Sequence, residues 1–252
     1  MNFFGINLFL GKKIGLVNLI LDKSLMGEKK AYYALNPDCF LISLKNKGYK
    51  KILNEDKNLI YVDGMGIIYT QRFLKMPIAE ERIATTDLFP ALCEKISKEK
   101  LNLNIFLLGG KEDTAERVIK NFNKKYPYVS FVGYQNGFFN EEQEINIINK
   151  INEKNVDILF VGLGCPKQEL WVDKHLNKLN VNSVITCGGL FDYYAGNVNR
   201  APKFMRENGL EWLYRLFQEP SRLYKRYIFG NIRYVVYMFI QKLKGSKKRS
   251  EN

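Results

Sequence analysis

Short apolar runs alternate with longer amphipathic stretches between about residues 31 and 187. Runs of four to six apolar, β-branched-rich residues predict buried strands, and the amphipathic stretches after them predict helices. Such alternation is typical of a Rossmann-like α/β fold, with a mostly parallel sheet flanked by helices on both faces. The predicted helices are Asp87–Lys98, Asp113–Lys125, Glu141–Lys154 and Gln168–Leu179, with N-terminal capping signals at Thr86-Asp87 and Asp113-Thr114.

Four predicted strands run into glycine-containing turns. Because parallel strands end at the same edge of a sheet, these turns are expected to lie side by side. Glycine lets the backbone approach a ligand closely, and helix N-termini favour anions, so the row predicts a site for a phosphate-bearing small molecule. The four segments are Leu59–Gly66, which includes Asp63 and Gly64, Ile105–Gly110, which ends in Gly109 and Gly110, Ile158–Gly164, and Val184–Gly189.

The chain changes character after Gly196. We predict a catalytic α/β region in residues 1–196 and a basic, aromatic, helical region in residues 197–252, called the appendage below. Tyr227–Ile240 is strongly apolar, and two interpretations are open: a helix lying on a membrane surface, or a helix packed on the core. At the other end, Met1–Leu10 has no basic residue before its apolar run, which predicts a buried first strand rather than a signal peptide.

Three appendage arginines, Arg215, Arg222 and Arg226, are spaced by seven and four residues. An uninterrupted helix would place them on one face. Pro220 lies between them and is expected to kink the helix or to start a new one, so that arrangement depends on what the proline does.

Charge is concentrated in the appendage. The chain has a net charge of +13. From Lys203 onward it contains twelve Lys and Arg residues and four Glu residues, which gives this segment a net charge of +8. This bias indicates an anionic partner, such as nucleic acid, an anionic lipid surface or a phosphorylated substrate. A solvated basic tail is an equal alternative for Lys247-Lys248-Arg249. No apolar run reaches the roughly 18 residues of a membrane-spanning helix.

The polar residues near the glycine turns supply candidate chemistry. Asp63 suits a general base, or a turn aspartate that caps a helix. Arg82 suits a bidentate phosphate clamp, whereas Asp87 is a ligand contact or a helix cap. Gln168 and Asp192 suit hydrogen bonds to a nucleotide. The glycine turns match neither the dinucleotide fingerprint nor the Walker A loop.

Metal and thiol chemistry are not indicated by the sequence. The four cysteines lack the spacing of a zinc site and are expected to be reduced thiols. His175 is the single histidine, which argues against a histidine-centred mechanism. Since no DxD-type carboxylate pair is present, we expect a metal-independent reaction without a cofactor.

Several motifs, in this order along nearly the whole chain, carry a family resemblance. They are Asp63-Gly64-Met65-Gly66, Gly162–Trp171, Gly189–Gly196, Arg200-Ala201-Pro202, Gly209–Leu216 and Glu219-Pro220-Ser221-Arg222. Together they resemble the WecG/TagA/CpsF family of bacterial glycosyltransferases. The chain departs from the usual family pattern at two places. It has Ala34-Leu35-Asn36 where the family often has Thr-Leu-Asn, and Ala84-Thr85-Thr86-Asp87 in place of the usual Thr-Gly-x-Asp.

The resemblance implies an inverting transferase that moves a sugar, N-acetylmannosamine in the best-known members, from UDP to polyprenyl-diphosphate-linked N-acetylglucosamine for wall teichoic acid. It also implies a cytoplasmic protein, peripheral on the inner face of the membrane, with no nucleic-acid partner; a homo-oligomer is left open. Asp63 matches the family's proposed base, and the appendage arginines match residues thought to reach the diphosphates. The expected substrate-binding residues are Asn36, Gly64, Arg82, Asp87, Gly109, Gly110, Gly164, Gln168, Gly189, Asp192, Arg200, Arg215, Arg222 and either Arg226 or Lys225.

Other functions remain as alternatives. The same chemistry with another UDP-sugar would serve capsule or exopolysaccharide synthesis. A non-catalytic nucleotide-binding regulator would share the glycine turns, but it would not need Asp63 beside an arginine-rich and aromatic appendage. A nucleotide-dependent oxidoreductase would need a dinucleotide fingerprint, which is absent.

Overall fold

The computed structural model describes residues 1–250, and the side chains of residues 1–244. In that part of the chain, eight strands form one sheet that is parallel except at β1. The strands are β1 (Asn2–Phe3), β2 (Ile6–Phe9), β3 (Lys30–Leu35), β4 (Asn58–Val62), β5 (Asn104–Gly109), β6 (Ser130–Gln135), β7 (Ile158–Gly162) and β8 (Ser183–Thr186). Their spatial order is β1-β2-β4-β3-β8-β7-β5-β6, which confirms the predicted mostly parallel sheet.

Helices connect the strands and continue beyond the sheet. The helices are α1 (Lys13–Leu25), α2 (Pro37–Lys45), α3 (Lys47–Leu53), α4 (Met65–Phe73), α5 (Thr85–Glu99), α6 (Thr114–Lys125), α7 (Glu141–Asn152), α8 (Lys167–His175), α9 (Leu190–Tyr194), α10 (Lys203–Glu207), α11 (Glu211–Gln218), α12 (Pro220–Tyr224), a π-helical turn (Lys225–Phe229) and α13 (Gly230–Ser250). Within the described residues, none of these helices is long and apolar enough to cross a bilayer.

Apolar side chains fill both faces of the sheet, as the fold prediction requires. One core contains residues of α1, α5, α6 and α9, with Phe89 and Phe160 in edge-to-face contact at 4.8 Å between ring centroids. The other core contains residues of α2, α3, α4, α7, α8 and α13. Burial on both faces explains why the central strands are continuous apolar runs.

The N-terminal segment forms a hairpin rather than one strand. β1 pairs antiparallel with β2, and Gly5 turns between them with a φ of +94°. Phe3, Ile6 and Leu8 are buried, so the predicted burial is confirmed although the segment is divided into two strands.

Of the two predicted capping signals, Thr86-Asp87 is wrong, whereas Asp113 is confirmed as an N-cap residue although its side chain makes no capping hydrogen bond. α5 begins at Thr85, so Thr86 and Asp87 lie inside its first turn, and Asp87 pairs with Arg200 instead. Asp113 does occupy the N-cap of α6, but its carboxylate pairs with Arg117 one turn later at 3.0 Å. In both places an available arginine replaces the backbone N–H as the partner of the carboxylate.

Two helices depend on contacts distant in sequence. Pro90 in α5 cannot bond the Thr86 carbonyl, and the Tyr194 hydroxyl donates to that carbonyl instead. α8 ends at His175, four residues before the predicted end, and the Lys29 ammonium donates to the carbonyls of Leu176 and Leu179 beyond it.

Pro220 starts a new helix, which is one of the two outcomes that the sequence predicts for it. Glu219 is both the C-cap of α11 and the N-cap of α12, and Pro220 is the first residue of α12. Arg215 and Arg222 are therefore on different helices. The single-helix alignment of the three arginines is wrong, because a proline ring is accommodated at a helix start rather than in its interior.

The α13 helix packs on the core, which confirms one of the two interpretations of Tyr227–Ile240, while the membrane-surface interpretation stays a prediction. Tyr234 and Met238 are buried on one side, where the Tyr234 hydroxyl is 2.9 Å from Thr70 Oγ1. The opposite side exposes an apolar stripe, and the spacing of its residues by three and four places them on one helical face. The stripe consists of Ile232, Val235, Val236, Phe239, Ile240 and Leu243, each between 44% and 67% exposed. The basic run Lys247-Lys248-Arg249 lies outside the residues whose side chains are described.

Candidate active site

Asp63 lies where β4 ends, at the carboxyl edge of the sheet. Its backbone N–H donates to the Leu35 carbonyl of β3 at 3.0 Å, which fixes the backbone at this edge. The Thr85 hydroxyl is 3.5 Å from Asp63 Oδ2 and 2.8 Å from the Tyr61 hydroxyl.

The surroundings of Asp63 favour its protonated form. Asp63 is only partly exposed, and desolvation by the surrounding protein raises the pKa of its carboxyl to about 7. Arg82 opposes the shift, whereas the nearby carboxylates of Glu211 and Asp87 add to it. A carboxylate with a pKa near 7 is a stronger base than an ordinary aspartate and is partly ionised near neutral pH, which suits general base catalysis.

The raised pKa of Asp63 predicts opposite effects of pH on activity and stability. Activity should rise with pH through an apparent pKa of about 7, because the base must be ionised. Between the ordinary value of 3.8 and about 7, the folded protein retains a proton that the unfolded chain releases. Stability should therefore fall as pH rises through this window. Rate profiles and melting curves of wild type and Asp63→Asn check this, since the variant should lack the Asp63 contribution to the stability slope.

The glycines after Asp63 make room for a proline, while the predicted substrate contact of Gly64 stays a prediction. A Cβ atom on Gly64 would lie 2.8 Å from Pro37 Cδ, and one on Gly66 would lie 2.6 Å from Pro37 Cγ. Asn36 precedes this proline and caps α2, its Oδ1 accepting the N–H of Cys39 at 2.9 Å. Packing thus brings Asn36 and Asp63 to neighbouring strand ends, while their contacts with substrate remain predictions.

Ion pairs join the appendage to the rim of the candidate site. Arg82 Nη2 lies 2.6 Å from Glu211 Oε2, and both side chains are less than one-fifth exposed. Arg200 Nη2 lies 2.8 Å from Asp87 Oδ1. Arg82 and Asp87, expected to meet the substrate, therefore each have an appendage partner in this structure. These two ion pairs hold α11 and the segment before α10 against the N-terminal end of α5.

Arg215 reaches the turn after β8. Its guanidinium covers Gly189 so closely that a Cβ there would be 2.7 Å from Nη2. The same guanidinium lies 5.0 Å from the centre of the Tyr193 ring and 3.4 Å from a Glu219 carboxylate oxygen. Its side chain is only 17% exposed. A largely desolvated cation thus lies directly beside a predicted ligand-binding glycine.

The other two arginines lie apart from Arg215. Arg226 Nε is 2.8 Å from Asp38 Oδ2, beside the start of α2. Arg222 is about half exposed and shares Glu219 with Arg215. The structure therefore brings Arg215 and Arg226 to the rim of the site and leaves Arg222 at the surface, while their binding roles remain predictions.

The remaining glycines divide into two groups. Gly109 and Gly110 have positive φ angles, and a Cβ on Gly109 would lie 2.4 Å from the Gly162 carbonyl oxygen, so close packing of β5 on β7 accounts for this glycine. Gly164 and Gly188 also have positive φ, but no atom lies within 4 Å of their missing Cβ positions. Open space beside these two turns is where a ligand can approach the backbone.

Two predicted nucleotide contacts differ in accessibility. Asp192 is partly exposed, and Asn197 Nδ2 lies 3.1 Å from its Oδ1. Gln168 is 5% exposed, and its amide bonds Gly164, Gly188 and Glu169. Asp192 is accessible to a ligand, whereas Gln168 is buried between the two turns, and the nucleotide contacts of both residues stay predictions.

Four residues of the site were not predicted: Thr85, Glu211, Glu219 and Asp38. Each is the partner of a residue that was predicted, namely Asp63, Arg82, Arg215 and Arg226. Glu211 and Glu219 lie inside motifs of the appendage, but neither motif indicates which arginine each carboxylate faces. Within residues 1–244, no three or more His, Cys, Asp or Glu side chains are grouped to hold a metal ion.

Fold and site together define an α/β protein with an acidic group, a cation and open glycine turns at the carboxyl edge of its sheet. A model of the Glycosyl transferase WecG/TagA/CpsF family matches residues 1–248. The chain therefore belongs to this family of glycosyltransferases, which confirms the resemblance.

Two relatives are both named N-acetylglucosaminyldiphosphoundecaprenol N-acetyl-beta-D-mannosaminyltransferase. The chain is 29% identical to the protein of Bacillus spizizenii over 204 residues, 80% of this chain and 77% of the relative. It is 32% identical to the protein of Bacillus subtilis over 188 residues, 75% of this chain and 71% of the relative.

Proposed function

We propose that the protein transfers N-acetylmannosamine from UDP to N-acetylglucosamine linked to a polyprenyl diphosphate, in synthesis of wall teichoic acid or a related surface glycan. The names of both relatives support the transferred sugar and the lipid-linked acceptor. The observation that carries the chemistry is the placement of Asp63, a carboxylate with a pKa of about 7, at the same sheet edge as Arg215.

In this mechanism Asp63 accepts the proton of the acceptor hydroxyl. The hydroxyl oxygen then attacks the anomeric carbon of the donor from the face opposite UDP. The bond between that carbon and the diphosphate oxygen breaks, and UDP leaves with the bonding electron pair. A single displacement of this kind inverts the configuration at the anomeric carbon.

The departing diphosphate gains negative charge, which a fixed cation stabilises. Arg215 is the best placed of the predicted cations, because its guanidinium lies at the Gly189 turn in a largely desolvated position. Arg226 at α2 is the second candidate, in preference to Lys225. We propose that these arginines take the part that a metal plays in other transferases, so that turnover needs no added divalent cation.

The exposed stripe of α13 supports attachment to the cytoplasmic membrane surface, where a lipid-linked acceptor resides. Apolar side chains on one helical face, together with the basic residues of the appendage, suit a helix lying in an anionic interface. The buried face of α13 packs on α2 and α4, so membrane binding would also hold the appendage over the candidate site.

A charged residue in the α13 stripe should release the protein from membranes. Val236→Glu is expected to lower binding to phosphatidylglycerol vesicles roughly tenfold, since it removes an apolar contact and adds a negative charge. Ile14→Glu on α1 is the matched control, because Ile14 is 57% exposed on the opposite face of the sheet. Equal vesicle co-sedimentation of Val236→Glu and wild type would contradict the membrane role.

A panel of UDP-sugars with a short-chain polyprenyl-diphosphate-N-acetylglucosamine acceptor tests the proposed reaction. We expect UDP release and a lipid product one N-acetylhexosamine heavier with UDP-N-acetylmannosamine. A clear preference for another UDP-sugar would instead favour capsule or exopolysaccharide synthesis. UDP binding without turnover on any donor would favour a nucleotide-binding regulator.

A further inference from the structure

The Gln168 side chain bridges two glycine turns. Its Oε1 accepts the N–H of Gly164 at 3.2 Å and the N–H of Gly188 at 3.0 Å. These residues belong to the turns after β7 and β8, the two turns with open space beside their missing Cβ atoms. One buried amide oxygen thus fixes the distance between two turns that both face the candidate site.

Glu169 determines how the Gln168 amide is oriented. Gln168 Nε2 donates to Glu169 Oε1 at 2.7 Å, and Glu169 is 1% exposed. An amide side chain can place either its oxygen or its nitrogen toward a given neighbour. The Glu169 acceptor holds the nitrogen on the side away from the turns, which leaves the oxygen facing the two N–H groups.

The second oxygen of Glu169 lies deep in the protein. Glu169 Oε2 and Thr186 Oγ1 are both buried and lack a regular hydrogen-bond partner. The side chains beside the carboxyl, Gln168, Thr186 and Cys165, are uncharged. Burial raises the pKa of the Glu169 carboxyl above its ordinary value. The Thr186 hydroxyl is the polar side chain available to this second oxygen, since a hydroxyl can either donate or accept a hydrogen bond.

We propose that Glu169 is a positioning residue that orients Gln168 and thereby sets the spacing of the Gly164 and Gly188 turns for nucleotide binding. The inference rests on the proposed function, because it assigns these turns to the UDP group of the donor. Glu169 itself touches no ligand in this scheme. Its influence passes through one side chain, Gln168, to two backbone N–H groups.

Titration of the full-length protein with UDP tests the proposal. Glu169→Ala should weaken UDP binding about ten- to hundredfold, because the Gln168 amide loses its fixed orientation and a buried donor is left unpaired. Glu169→Gln should retain nearly wild-type affinity, since a neutral amide can both accept from Gln168 and donate to Thr186. Asp173→Asn, one turn along α8 at a partly exposed position, is the matched control.

Steady-state kinetics separate positioning from general stability. Glu169→Ala should raise the KM for the UDP-sugar while kcat changes much less, and Glu169→Gln should rescue the KM. Wild-type UDP affinity in folded Glu169→Ala would overturn the proposal, and so would a loss in Glu169→Gln as large as that in the alanine variant.

A third variant covers the case in which Glu169→Ala does not fold. Thr186→Val preserves the side-chain shape but removes the hydroxyl beside the Glu169 carboxyl, and it should weaken UDP binding about tenfold. Unchanged affinity in Thr186→Val would overturn the proposal. Failure of the wild type to bind UDP would overturn the proposed function, and this inference with it.

Discussion

Replacing Asp63 by asparagine is expected to lower kcat about a hundred- to ten-thousandfold while UDP affinity stays close to wild type. The amide keeps the size of the carboxylate but cannot take the acceptor proton. The loss should appear in kcat because the base acts in the transition state rather than in donor binding. Transfer kinetics and UDP titration of the same preparation measure both quantities.

A matched control is available at the other end of β4. Asp56 is exposed just before the strand begins, so Asp56→Asn makes the same chemical change far from the carboxyl edge of the sheet. It should leave both kcat and UDP affinity unchanged. If Asp63→Asn retained near-normal turnover, Asp63 would be a structural turn residue and the acceptor would need another base.

Arg215→Ala is expected to lower kcat about a hundred- to a thousandfold, the usual effect of removing one preorganised group that stabilises transition-state charge. Arg215 is largely buried against Gly189 and Tyr193, so solvent cannot easily replace its charge. Arg215→Lys should restore part of the rate, since it keeps the charge without the planar fork. The measurement is kcat with a soluble short-chain acceptor, which separates the effect from membrane binding.

Lys203→Ala is the control for the loss of one positive charge from the appendage. The Lys203 side chain is 79% exposed, and its ammonium lies 3.7 Å from the carboxylate of nearby Glu207. Melting temperatures should be compared, because Arg215 also bonds Glu219 at the end of α11. A stably folded Arg215→Ala protein with normal kcat would remove Arg215 from the account of leaving-group stabilisation.

Much of the fold could be predicted from the sequence because its signals are local. Alternating apolar and amphipathic stretches indicated the parallel sheet, and Pro220 marked a helix boundary. The N-terminal hairpin was missed because Gly5 lies within a short apolar run that resembles one strand. Asp87 is not a cap, and Asp113 is an N-cap residue without a capping hydrogen bond, because each carboxylate pairs with an arginine; Arg200 is more than a hundred residues from Asp87.

The site was predictable in position but not in its pairings. Strand ends followed by glycine located the edge of the sheet, and Asp63 lies there as expected. Which carboxylate faces which arginine depends on how the appendage folds back, and no sequence spacing specifies that Glu211 meets Arg82. The sequence also does not show why glycine is needed at several positions. Gly64 and Gly66, for example, leave room for Pro37, which follows the neighbouring strand.

The anomeric configuration of the transferred sugar tests the central claim most directly. Purified protein would be incubated with UDP-N-acetylmannosamine and the short-chain acceptor, and the new linkage would be assigned by nuclear magnetic resonance. One displacement assisted by Asp63 at an α-linked donor predicts a β-linked N-acetylmannosamine on N-acetylglucosamine. An α-linked product would contradict the single displacement, and absence of any product under conditions where UDP binds would contradict the proposed transfer.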